Sequence, residues 1–163
     1  MPNTIILALV IFLHDLFTAV WIGGLITLGI AVLPAARKAL GMGPQTRNLM
    51  QAIQKRLSTL VYVSIVGLVL TGLLMANRAP AFQGMFSFAN AYSTALSLKH
   101  ILVLIMIIVS LYRSLVLGRI NNSSQPSREK LNGALLFLNI GLGLAVLFVS
   151  GYCAALSAGP KPV

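Results

Sequence analysis

The chain has 163 residues, 58% of them hydrophobic and only 9% charged, with a formal net charge of +10. So much apolar sequence with so little charge excludes a soluble globular domain and a disordered one. It leaves an integral membrane protein, read as one domain over residues 1–163 with both acidic residues and both histidines available for chemistry.

Four apolar stretches follow one another, at about 5–33, 57–76, 94–118 and 131–156. Each is long enough to cross about 30 Å of hydrocarbon at ~1.5 Å per residue. The expected fold is therefore an all-α integral membrane four-helix bundle. The first stretch lacks a basic leader, runs too long for a signal sequence and carries His14 and Asp15, so it reads as a retained span. It closes at Pro34, followed by Arg37 and Lys38. In the segment Gln45–Leu60, Leu49, Ile53 and Leu57 fall at helical spacing among polar residues. That segment either lies along the interface or extends the second span.

Beyond the second stretch, Pro80, Phe82, Phe86, Phe88 and Tyr92 place aromatic rings where a chain meets the membrane–water boundary. The polar loop Asn121–Ser127, with Pro126, is a connector, and Ser127 is a candidate cap for the last helix. The lone Cys153 has no disulfide partner and reads as a small buried residue. Small residues four apart, Ala19/Gly23, Gly67/Thr71 and Ser150/Ala154, suit close helix approach.

The basic residues are unevenly placed. Arg37, Lys38, Arg47, Lys55 and Arg56 lie between the first two spans, and Arg113, Arg119, Arg128 and Lys130 around the last loop. The opposite side has only Arg78, Lys99 and Lys161. The positive-inside rule then puts both termini on the outer side of a cytoplasmic (inner) membrane. The surplus charge fits contact with anionic membrane lipid, and no nucleic-acid partner is expected.

His14 and His100 are the only histidines. Each falls about 10–14 Å into its span along the helix, and the first and third spans run the same way. An ionisable side chain in a span usually marks a functional site facing the bundle interior. Two neutral imidazoles at one depth make a ligand pair, and bis-histidine b-type haem is the leading expectation. His14 and His100 are the metal ligands in that reading. Thr18 and Trp21 line the slot on the face of His14, and Arg78 and Lys99 are the cations available for the propionates. Adjacent residues point about 100° apart, so either Lys99 or His100 faces His14. Asp15 pairs with Lys99 or Arg78, orients a neighbour or carries protons.

The run from His14 through Trp21 and Gly24 to Leu25 resembles the first span of the copper-resistance protein D (CopD) type membrane domain, in which a histidine precedes Trp-x-Gly-Gly. Pro34, Arg37 and Lys38 are similar to that family's span end, and Gln54–Leu57, Gly67 and Thr71-Gly72 to its second helix. Leu98-Lys99-His100 is similar to its third. The same first-span pattern resembles the HemJ-type protoporphyrinogen oxidases, which implies haem and functional roles for His14 and Lys99. This chain departs from that second family in lacking a lysine before His14 and in having Tyr112 where a later histidine is expected. Both resemblances imply a four-helix membrane bundle with a site at His14.

Three functions follow. The first is a haem protein moving electrons within the membrane, alone or as a subunit of a redox complex, with a quinone or periplasmic electron carrier as partner. The second is copper binding or transport, with Cys153 as a further soft donor. The third is a cofactor-free assembly subunit. The thin loops favour a homo-oligomer or a membrane complex, and an oxidoreductase activity stays open. No hydrolase or phosphate-binding motif is present.

Overall fold

The computed structural model describes residues 2–76, 88–117 and 126–158. They form helix α1 (Pro2–Ile26), a π-helical segment (Thr27–Val32), α2 (Leu33–Leu40), α3 (Pro44–Ala76), α4 (Ala91–Leu111), a second π-helical segment (Tyr112–Leu117) and α5 (Pro126–Ala158). No strand occurs among the described residues. Four helices are long and apolar enough to cross a membrane: Thr4–Leu40, Pro44–Met75, Ala91–Val116 and Ser127–Ser157.

The helices outrun the apolar stretches at the basic end. Gln, Lys and Arg are good helix formers, so the polar flanks stay helical. The segment Gln45–Leu60 is thus the first half of α3 rather than a separate interfacial helix. Pro126, not Ser127, opens α5, as expected for a residue whose missing N–H is an orphan anyway. Gly41 turns the chain between α2 and α3 at φ 70°, a conformation natural to glycine, and its carbonyl accepts from Thr46 at 2.6 Å. Asn90 caps α4, its side chain accepting from the Ser93 N–H at 2.7 Å.

The first π-helical segment lies just before Pro34. Proline cannot donate, and its ring crowds the carbonyl four residues back, that of Ile30. The wider spacing relieves the crowding, and the Leu33 N–H reaches back five residues to Leu28.

α1 packs along α3 and α4 along α5, and the two pairs meet mainly through α1 and α5. Trp21, Ile22, Leu25 and Leu28 of the first span meet Val61, Met106, Leu136, Ile140 and Val146 in one buried core. A smaller cluster of Ala95, Val149 and Cys153 sits toward the other end. Cys153 is buried, as expected of a small core residue. Ile5, Leu9, Phe12 and Leu16, and Val63, Val66, Leu70 and Leu73, form outward apolar stripes that lipid would cover.

Of the three small-residue pairs, Gly67/Thr71 is buried at a helix contact. The Phe17 ring of α1 lies so near Gly67 that a Cβ there would overlap it. Ala19 and Ala154 are exposed, and nothing lies within 4 Å of a Cβ built on Gly23, so those pairs do not draw helices together.

Candidate functional site

His14 stands ten residues beyond Thr4, and His100 nine beyond Ala91, so the two lie in the same half of the bundle. Both are half-buried. The His14 ring turns from α1 toward α3. Its Nδ1 is 2.9 Å from Thr71 Oγ1, and its Cε1 would touch a Cβ at Gly72 at 3.8 Å. The Thr71 hydroxyl has one proton, which it donates to the Gly67 carbonyl at 2.7 Å. Its oxygen therefore accepts from His14 Nδ1–H, which leaves Nε2 with a bare lone pair.

His100, as a neutral imidazole, takes the same tautomer through a different partner. Its Nδ1 lies 2.7 Å from the Leu96 carbonyl one turn back, which accepts only. Its Nε2 is also free to act as a donor to a metal. Such a hydrogen bond behind a histidine fixes the tautomer and raises the ligand's basicity.

The charged neighbours converge from three helices. Lys99, Asp15 and His100 lie within Coulombic reach of His14, and Cys153 and Asp15 within reach of Lys99. Lys99 is half-buried and Asp15 exposed. Asp15 closes no ion pair among the described residues, where the expected pairing with Lys99 is absent and Arg78 lies outside the description. Thr18 donates to the His14 carbonyl at 2.9 Å, so its hydroxyl is engaged by its own helix. Trp21 is 2% exposed in the core, its Nε1 buried without a partner among the described residues. No three of His, Cys, Asp and Glu come together as a metal cage among the described residues.

The opposite, basic end holds polar contacts that sequence reasoning passed over. Arg113 lies in the second π-helical segment, 5% exposed, and its Nε donates to Asn132 Oδ1 at 3.0 Å. Asn132 Nδ2 in turn donates to Gln54 Oε1 at 3.4 Å. Deeper in, Asn139 Nδ2 donates to Ser110 Oγ at 2.8 Å. Arg113 reads in the sequence as one of the topology-setting charges. Asn132 and Asn139, two turns apart in an apolar helix, were the available signal for this polar face. Thr71 reads there as a packing residue and is in fact the partner of His14.

Fold and apolar surface define the class: a multi-pass integral membrane protein of four spanning helices. Residues 51–153 match the family model of CopD, copper resistance protein D. The chain belongs to that family. No curated protein and no solved structure matches it. The matched segment contains Thr71, Lys99, His100, Arg113 and Cys153 but starts beyond His14 and Trp21. The HemJ-like reading of the first span therefore gains nothing from it. The match speaks of copper resistance and not of haem or electron transport, so it favours the copper alternative over the haem expectation.

Proposed function

We propose that the chain handles copper, taking monovalent copper as cargo at the histidine end of the bundle through Nε2 of His14 and of His100. The observation that carries this reading is the matched protonation of the two rings. Each commits Nδ1–H to a neighbour and leaves Nε2 bare, on two helices that run the same way.

Further arguments select the metal. No three of His, Cys, Asp and Glu group together among the described residues, so this reading asks the chain for only two donors, the two imidazoles. A d¹⁰ cuprous ion accepts so few, whereas structural zinc takes four. The nearby Lys99 cation opposes a divalent ion more than a monovalent one. The buried Cys153 thiol on α5 supplies a soft group near Lys99, in keeping with the preference of copper(I) for soft ligands. Family membership supports the same reading.

The test is an anaerobic titration of detergent-purified protein with copper(I) against a chromophoric chelator, with His14→Ala and His100→Ala beside it. The expected result is one copper(I) per chain, lost in both variants. An optical spectrum of the same protein, oxidised and then dithionite-reduced, separates the alternative. A low-spin Soret and α-band that disappear in both variants would overturn copper in favour of bis-histidine haem b.

A further inference from the structure

Arg113 is a guanidinium buried in a membrane span without a carboxylate. The chain has two acidic residues in all. Glu129 is engaged by Arg47 in an exposed ion pair, and Asp15 lies in the histidine half of the bundle. Arginine stays charged in proteins, and a buried charge with no counter-charge is costly. Among the described residues its side chain donates to a neutral amide, Asn132. The fold therefore holds a fixed positive charge that no acid among the described residues neutralises.

The surroundings say what would. Arg113 lines a narrow cleft between the first span, α3 and the second π-helical segment. Tyr62, Ser58 and Ser114 bring hydroxyls to the same cleft, and the Tyr62 hydroxyl is buried with no partner among the described residues. No acid lines the cleft. Gln54 and Ser110 add two more neutral polar groups, and the apolar part of the wall comes from Leu25, Leu28, Leu57 and Val61. α3 and α4 barely approach each other directly, so the cleft occupies the open seam between the two helix pairs. Lys55, Arg56, Arg47 and Lys130 crowd this end of the bundle and raise the local concentration of anions. π-Helical segments frequently coincide with functional sites, and this one positions the arginine.

We propose that this cleft binds the phosphate of a single anionic phospholipid. The guanidinium and the Tyr62 hydroxyl take the phosphate oxygens, and the leucine wall takes the start of an acyl chain. Guanidinium and phosphate match as a planar fork against paired oxygens. The apolar wall and the location within a span favour a lipid over a soluble phosphate. The seat is separate from the histidine end, so its test is independent of copper.

The experiment is native mass spectrometry with thermal-shift readout on the full chain in detergent. Three probes are compared at matched concentration: phosphatidylglycerol, zwitterionic phosphatidylcholine and inorganic phosphate. The expected result is one retained phosphatidylglycerol per chain, held about tenfold more tightly than phosphatidylcholine. Arg113→Gln, which can still donate to Asn132, should abolish that preference, and Tyr62→Phe should weaken it several-fold. Equal retention of the two lipids by the wild-type chain overturns the proposal, as does an unchanged preference in Arg113→Gln. Stabilisation by inorganic phosphate equal to that by phosphatidylglycerol overturns the lipid as the source. If Arg113→Gln does not fold, the wild-type comparison and Tyr62→Phe still decide.

Discussion

Replacing Thr71 by valine should weaken copper(I) binding without touching a ligand. Thr71 is 6% exposed, and valine fills nearly the same volume, so no cavity opens. What disappears is the oxygen that accepts from His14 Nδ1–H at 2.9 Å. Losing such a partner behind a metal-bound histidine typically costs 10- to 100-fold in affinity. The His14 ring is only half-buried, so the released N–H can find water after a small rotation. That places the loss near the lower bound, about tenfold, or ~1.4 kcal/mol. Stability should change less, because hydrogen bonds between membrane helices average about 0.6 kcal/mol. Thr71→Ser keeps the oxygen and should bind as the wild type does. The assay is the anaerobic chelator competition. If Thr71→Val binds within about twofold of the wild type while His14→Ala has lost the ion, the tautomer lock is not what prepares His14.

Two other substitutions probe the charges and the packing. Lys99→Gln removes a like charge within reach of the proposed ion and should tighten copper(I) binding by a factor on the order of a few; weaker binding in the same titration would mean that Lys99 assists the site. Gly67→Ala puts a methyl into the Phe17 ring and should destabilise the α1–α3 pair by about 1–3 kcal/mol, partly recovered by adding Phe17→Leu. Gly151→Ala meets nothing within 4 Å and serves as its neutral control; equal thermal stability of the Gly67 and Gly151 variants would contradict the close approach.

Hydropathy made the four spans legible because a bilayer demands long apolar runs and the chain contains four of them. Helix ends were not, since Gln45–Leu60 is equally compatible with an interfacial helix and with the longer α3 that forms. The two histidines stood out because ionisable groups are rare in spans. Their partners did not. Thr71 lies 57 positions from His14, and nothing local in the sequence says that α3, rather than α4, receives the ring. Likewise Arg113 looks like an ordinary loop-flanking charge until the fold shows it 5% exposed, bonded to Asn132 and without an acid. Long-range pairing is set by which helix faces meet, and near-uniform apolar helices write little of that into periodicity.

The two polar ends constrain each other electrostatically. In the proposed function a cuprous ion held by neutral imidazoles keeps its positive charge at one end of the bundle, and Arg113 holds another at the opposite end. In a low-dielectric interior two like charges repel far more strongly than in water. A bare Arg113 therefore opposes any further cation at its end of the core. An anionic phosphate seated on the guanidinium removes most of that repulsion by converting a lone charge into a pair.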